Sequence, residues 1–110
     1  NTLTMNQSID LDTGEISPQN GADLSLSGST TAEASLVSQN NAKFSLMPDN
    51  SIPPEPYYCQ EAVLSEDPIL ITSLAVNDII CYSTDVGRYG YLNIVSLNSN
   101  VEFTLITWGP

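Results

Sequence analysis

Carboxylates are the side chains most able to do chemistry in this 110-residue sequence, and several of them fall near its start. Asp10, Asp12 and Glu15 share one short segment, and Asp23 follows. The sequence contains no histidine, which removes Ser-His-Asp and Cys-His catalysis, histidine-ligated zinc and the usual general base near neutral pH. Chemistry is therefore left to carboxylates, tyrosines and the two cations, Lys43 and Arg88.

One reading of these carboxylates is an acid hydrolase. Asp12-Thr13-Gly14 matches the triplet of retroviral-type aspartic proteases, in which two such loops meet at a dimer axis and share one proton. Here Asp10 adds a second negative charge on the same side of the strand, and the sequence has no glycine-rich flap. The nearest counterpart of the later apolar-apolar-Gly strand, Val86-Gly87-Arg88, falls in a turn. We therefore expect an ordinary turn, with Asp12 bonding its own turn backbone, and no catalytic activity.

Calcium binding is the second reading, with candidate ligands Asp10, Asp12, Glu15 and Asp23. Calcium takes about six to eight oxygen ligands, which clustered carboxylates and turn carbonyls supply. The spacing does not fit an EF-hand loop, because Gly14 falls at a ligand position and Glu15 falls where the glycine is needed. We favour solvated carboxylates and predict no cofactor, with calcium as the alternative.

Tyrosines give a third candidate site, because flat aromatic faces stack on sugar rings while Asn and Asp side chains bind hydroxyl groups. The candidates for carbohydrate binding are Tyr57, Tyr58, Tyr89 and Tyr91, of which the last two lie on one side of a predicted strand. Tyrosines that alternate along a strand also occur at the margin of a core, with the ring buried and the hydroxyl exposed. The pattern leaves both interpretations open.

The charge balance limits the partners that this chain can bind. Thirteen acidic residues and two cations give a net charge of −11. Nucleic acids and anionic membrane surfaces both require clustered Lys and Arg, so neither is a predicted partner. No apolar run reaches the length of about 18 residues that membrane insertion requires. The many uncharged polar residues are typical of extracellular and cell-surface modules, so the predicted partner is a protein or a glycan.

The two cysteines, Cys59 and Cys81, allow one intramolecular pairing in an oxidising compartment. Closing a loop of about twenty residues would stabilise the fold by roughly 3 kcal/mol on the chain-entropy model. The alternative is a pair of reduced, buried thiols. A disulfide would pin the proline-rich crossover before Cys59 to the strand that contains Cys81.

Apolar residues mostly alternate with polar ones, which is the period of a strand with one buried face. Turn-rich clusters separate these segments, and only residues 71–76 allow a short helical turn. The sequence therefore predicts one all-β domain over 1–110, with 1–6 as a flexible lead-in. Its architecture is an antiparallel β-sandwich or partly open barrel of about seven strands, with the clearest strands near 9–11, 24–26, 44–46, 79–84, 89–97 and 101–108.

Connections follow from the turn residues. Residues 85–87 predict a hairpin loop in which Gly87 supplies a positive φ, and residues 98–100 predict a second one. The nearly continuous apolar run over 79–82 predicts a strand in the interior of its sheet. Pro53-Pro54-Glu55-Pro56 is too rich in proline for a central strand and predicts an extended surface crossover.

Several weak motifs recur together along nearly the whole chain: D-x-D-T-G at 10–14, A-D-L at 22–24, Asn41-Ala42, Cys59, C-x-x-T-x-x-G-R at 81–88 and Trp108. This pattern resembles that of a class of uncharacterised bacterial modules, which occur as accessory domains in secreted or surface-exposed multidomain proteins. Asn41-Ala42 departs from the more usual Gly-Ala and affects only a turn. The resemblance implies a non-catalytic β module with two linked cysteines, and it supplies no ligand.

We therefore expect a secreted or cell-surface module that acts through binding or assembly rather than catalysis. Its edge strands are available for pairing with a peptide, or with other copies in a homo-oligomer or fibre. The first alternative is a calcium-assisted or aromatic-platform carbohydrate-binding module. The second alternative is the aspartic protease.

Overall fold

Two antiparallel β-sheets of five strands each pack against one another. The computed structural model describes residues 2–17, 21–28, 33–47, 56–97 and 100–108, with Pro56 and Tyr57 described by their backbone alone. The helical elements are α1 (Pro56–Glu61) and a 3-10 turn (Ile71–Ser73). The strands are β1 (Thr2–Leu3), β2 (Ser8–Asp10), β3 (Glu15–Ile16), β4 (Leu24–Ser27), β5 (Ser35–Ser38), β6 (Lys43–Leu46), β7 (Ile69–Leu70), β8 (Ile79–Ser83), β9 (Tyr89–Leu97) and β10 (Val101–Thr107).

The first sheet, sheet I, has the strand order β1-β10-β9-β8-β6, and the second, sheet II, has the order β3-β2-β4-β5-β7. Every strand pair is antiparallel. The predicted β-sandwich is confirmed, and β8 lies inside sheet I between β6 and β9, as its apolar run predicts. Several strands beyond the predicted seven have only two residues, which is too short to produce a recognisable alternation.

The core lies between the sheets and is built from alternate residues of the longer strands. Sheet II contributes Ile9, Leu24, Leu26 and Leu36, which are almost fully buried. Sheet I contributes inward-facing aromatic and aliphatic side chains from four strands: Phe44, Ile80, Tyr82, Leu92, Ile94 and Phe103. Burying one such side chain stabilises the fold by roughly 1.5–3 kcal/mol, so the alternation read from the sequence sets which face of each strand points inward.

Tyr82 crosses the inner face of sheet I and joins three segments of the chain. Its hydroxyl donates to the carbonyl oxygen of Ile106 at 3.1 Å and also bonds the Thr107 hydroxyl. Thr107 in turn donates to the carbonyl oxygen of Leu11 at 2.6 Å. The phenol ring passes directly over Gly90 in β9, where a side chain would occupy the same space.

The disulfide between Cys59 and Cys81 holds α1 against the outer face of sheet I. Cys81 points away from the core because its neighbours in β8, Ile80 and Tyr82, point inward. The helix corrects the prediction of an extended crossover ending at Pro56. Proline suits the first position of a helix, where no intrahelical partner for its missing N–H is required. Residues 53–55 of the predicted crossover lie outside the described residues.

The turn chemistry agrees with the sequence at several positions. Gly87 has a φ of 84°, as its predicted hairpin loop requires, and the 3-10 turn falls inside the predicted helical segment 71–76. Residues 98 and 99 of the second hairpin lie outside the described part of the chain. Thr2 and Leu3, in the segment predicted as a flexible lead-in, pair with Glu102 and Val101. No helix among the described residues is long and apolar enough to cross a membrane.

Replacing Gly90 by alanine is expected to destabilise the fold by about 1–3 kcal/mol, because the core must shift to accept the new atom. The added Cβ would lie 2.6 Å from the Tyr82 ring and closer still to the Ile106 carbonyl oxygen. Urea unfolding measures the change, with Val95→Ala on the outer face of the same strand as a control expected within about 0.5 kcal/mol of the parent. Equal stability of the two variants would contradict the close packing of Tyr82 on Gly90.

Candidate functional site

Four aspartates from three segments of the chain meet at one end of the sandwich, and we call Asp10, Asp12, Asp23 and Asp85 the aspartate cluster. One carboxylate oxygen from each of the first three lies within 4.8 Å of the others. The Asp85 carboxylate lies beside those of Asp12 and Asp23 and raises the pKa of both. Glu15, the remaining predicted metal ligand, is exposed on β3 and is not part of this group.

Asp10 organises the turn between β2 and β3. Its carboxylate accepts the Asp12 N–H at 2.9 Å, and its carbonyl oxygen accepts the N–H groups of Thr13 at 3.3 Å and Gly14 at 2.6 Å. Gly14 has a φ of 80°, which favours glycine. The triplet Asp12-Thr13-Gly14 therefore lies in a turn, but the backbone contact predicted for the Asp12 side chain is made by Asp10 instead.

Asp23 is fully buried and joins two loops that are distant in sequence. Its Oδ2 accepts the N–H of Leu11 at 2.8 Å, and its Oδ1 accepts the N–H of Asp85 at 2.6 Å. Burial raises the pKa of Asp23 to about 7, a shift that the two N–H donors oppose and the Asp85 carboxylate reinforces. Asp23 is therefore partly protonated near neutral pH.

Asp12 turns toward Arg88, which comes from the start of β9. The Arg88 Nη1 lies 3.5 Å from the Asp12 Oδ1, and the Arg88 Nε donates to the Trp108 carbonyl oxygen at 3.1 Å. Burial raises the pKa of Asp12, while a hydrogen bond from the Thr84 hydroxyl opposes the rise. Asp12 is therefore the acidic partner of Arg88 in the structure.

The chain itself supplies part of the charge compensation for the aspartate cluster. Backbone N–H groups bond both oxygens of Asp23, and Arg88 and Thr84 contact Asp12. Carboxylate oxygens are the ligands that calcium takes, but a cation here would have to displace the proton that Asp23 holds near neutral pH. Calcium binding at the cluster stays a prediction.

The outer face of sheet I carries an aromatic group near the ends of β9 and β10, which we call the aromatic face: Tyr89, Tyr91, Ile106 and Trp108. The rings of Tyr91 and Trp108 are 5.6 Å apart and inclined at 48°. Ile106 lies directly opposite Tyr91 in the strand register. The backbone N–H of Trp108 donates to the Tyr89 carbonyl oxygen at 2.9 Å. Two of the four predicted carbohydrate-binding tyrosines therefore share one surface.

The other two predicted tyrosines do not join the aromatic face. Tyr58 is exposed on α1 and lines a separate depression of about 360 Å³ beside β6. The side chain of Tyr57 lies outside the described residues. Sequence reasoning missed Trp108 as a site residue, although the hairpin register would have placed it opposite Tyr89.

The edge of β10 is the remaining surface of interest. Strand β1 pairs with β10 only at Val101 and Glu102, and residues 104–107 have a neighbouring strand on the β9 side alone among the described residues. A β-bulge between Glu102 and Phe103 marks the place where the pairing with β1 ends. This stretch is the longest open strand edge in the part of the chain that the structure describes.

The chain is a disulfide-braced antiparallel β-sandwich, and comparison with known proteins does not assign it to a family. No family model, curated protein or solved structure matches it. The resemblance to bacterial accessory modules therefore stays a proposal.

The aspartate cluster predicts that the fold loses stability as the pH rises toward neutrality. The pKa of Asp23 is about 7 in the fold against 3.8 for an ordinary aspartate, so the proton favours the native state. This contribution is fully present below the lower value and is lost as the pH rises through about 7. We expect a higher free energy of unfolding at about pH 5 than at about pH 8, by on the order of a few kcal/mol.

Asp23→Asn tests the assignment, because asparagine does not titrate and keeps one oxygen acceptor. Chemical unfolding across this pH range should show a much flatter profile for Asp23→Asn than for the parent. The exposed Asp67 gives a matched control, since Asp67→Asn removes the same formal charge and should keep the parent's slope. If the free energy of unfolding of Asp23→Asn changes with pH as steeply as that of the parent, Asp23 is not the cause of the pH dependence.

Proposed function

We propose that this chain is a non-catalytic module, secreted or displayed at a cell surface, that binds a protein partner or further copies of itself by pairing a strand with the free edge of β10. The observation that carries the proposal is the open side of residues 104–107. Unpaired backbone N–H and C=O groups along a strand edge are a template for adding another strand.

The composition of this edge supports its use in binding. Proteins commonly protect strand edges with charged residues or proline, and Thr104–Thr107 contains neither. The opposite edge of sheet I is occupied at Phe44 in β6, whose backbone exchanges hydrogen bonds of 2.8 and 3.0 Å with Ser65. The edge strands of sheet II, β3 and β7, have only two residues each.

The extracellular assignment rests on the disulfide and on the surface chemistry. Disulfides such as Cys59–Cys81 persist in oxidising environments and are rare in the cytosol. Charged residues make up only 14% of the chain. The proposed absence of catalysis rests on the lack of histidine and on the contacts already made by the carboxylates of Asp12 and Asp23.

Strand pairing can be tested with a peptide that copies β10, VEFTLITW, labelled with a fluorophore. We expect saturable binding to the full chain and slower hydrogen exchange at the amides of 104–107. The same peptide with its leucine replaced by proline should not bind, because proline lacks the N–H that a paired strand donates. Failure of the parent peptide to bind, together with a chain that stays monomeric in concentrated solution by sedimentation, would contradict the proposal.

Ile106 and Val95 provide a matched pair of variants, since both side chains lie on the outer face with exposures of 45% and 44%. Ile106→Lys places a charge on the edge strand, whereas Val95→Lys places it on β9, which has strands on both sides. We expect Ile106→Lys to weaken peptide binding by about tenfold and Val95→Lys to leave it unchanged. Equal loss in both would assign binding to the sheet face instead of the edge.

Carbohydrate binding is the second candidate function, favoured by the Tyr91–Trp108 ring pair on an open sheet face. We expect Tyr91→Ala to abolish any neutral glycan bound by the parent on an array, with the α1 variant Tyr58→Ala as the control that retains it. The array run with and without calcium separates the calcium-assisted form, in which Asp10→Asn should also lose binding. An array without signal in either condition would count against this candidate.

A further inference from the structure

A polar pocket of about 400 Å³ opens on the outer side of sheet I. It lies between the β5–β6 turn, the segment that follows α1, and the turn between β8 and β9. Its polar lining comes mainly from five side chains on these elements: Asn41, Lys43, Gln60, Ser83 and Tyr89. Ala62 and Leu64 complete one wall, and we refer to the whole as the polar pocket.

These five side chains make no hydrogen bond or ion pair with the described residues. By contrast, no buried side-chain nitrogen or oxygen in the described part of the chain lacks a partner. The polar pocket therefore gathers hydrogen-bonding groups whose capacity the fold does not use. Two amides, two hydroxyls and one ammonium provide both donors and acceptors.

Lys43 gives the polar pocket a positive charge in a chain whose net charge is −11. The other cation, Arg88, is paired with Asp12. Asp85 also lines the pocket, but its carboxylate contacts those of Asp12 and Asp23 in the aspartate cluster. Among the described residues Lys43 is left without a carboxylate at ion-pair distance, so an anionic group on a ligand would meet an unpaired ammonium.

We infer that the polar pocket binds a sugar acid, meaning a saccharide residue that carries a carboxylate. The Lys43 ammonium forms a charge-assisted hydrogen bond with the carboxylate. The amides of Asn41 and Gln60 and the hydroxyl of Ser83 are matched to the donors and acceptors of the sugar hydroxyls. A polyphosphate or nucleic acid is a poorer match, because those ligands require several cations. The inference does not depend on strand pairing at β10, which uses another surface.

The test uses calorimetric titration of the full chain with galacturonic and glucuronic acid and their short oligomers, and with galactose and glucose as neutral counterparts. We expect the acids to bind about tenfold more tightly than the neutral sugars, since hydrogen bonds to charged groups are the stronger ones. Lys43→Gln should bring the affinity for the acids down to that for the neutral sugars. Added salt should act in the same direction.

The β5–β6 turn offers a matched control, because Asn40 and Asn41 both have a positive φ, of 54° and 69°. Glycine tolerates this conformation, so Asn40→Gly and Asn41→Gly are both free of added backbone strain. Only Asn41 lines the polar pocket, while Asn40 donates to the Ala22 carbonyl oxygen. Asn41→Gly should weaken binding of the acids, and Asn40→Gly should not.

Three results would overturn the inference: parent affinity in Lys43→Gln, equal affinity for acids and neutral sugars, or no saturable binding of any probe. Tyr91→Ala should leave binding of the acids intact, because Tyr91 belongs to the aromatic face and does not line the polar pocket, although Tyr89 borders both. Peptide binding at β10 should also persist in Lys43→Gln, so loss of one activity does not imply loss of the other.

Discussion

The buried carboxylate of Asp23 is the contact that holds together the end of the sandwich where the aspartate cluster lies. It accepts one N–H from Leu11, in the turn of sheet II, and one from Asp85, in the turn of sheet I. A buried acceptor with two short backbone donors fixes both loops relative to each other, because leaving either N–H unpaired in the interior costs about 1–3 kcal/mol. Three further aspartates are held close together as a result.

Leu11 receives a second tie at the same end of the sandwich. Its carbonyl oxygen accepts the Thr107 hydroxyl, which also bonds the hydroxyl of Tyr82. The side chain of Leu11 is itself fully buried, so backbone and side chain together anchor the β2–β3 turn to both sheets. The turn that contains Asp12-Thr13-Gly14 therefore links the two sheets, and the carboxylates near it contact backbone amides and Arg88.

Sequence reasoning succeeded where the determining interactions are local. Alternation of apolar residues predicted β8, β9 and β10, and Gly87 marked the hairpin loop between the first two. It failed at α1, because consecutive prolines favour extended backbone and the capacity of Pro56 to begin a helix was outweighed. Two-residue strands such as β1 form through pairing with β10 and have no pattern of their own.

At the site, the sequence selected Asp10, Asp12 and Asp23 from their position near the start of the chain. It missed Asp85, which lies 62 residues from Asp23 along the chain, and it could not pair Asp12 with Arg88, which lies 76 residues away. Such contacts depend on how two sheets are stacked, and no local spacing encodes them. Trp108 is a different case, because the register of the β9–β10 hairpin alone places it next to Tyr89 and Tyr91.

The covalent link between α1 and β8 gives the outer surface a dependence on oxidation state. The segment that begins at Cys59 supplies Gln60, Ala62 and Leu64, one side of the polar pocket, and the bond to Cys81 is what ties that segment to the sheet. Reduction of this bond would release one wall of the polar pocket from the sheet, so the shape of the recess depends on the oxidation state of Cys59 and Cys81.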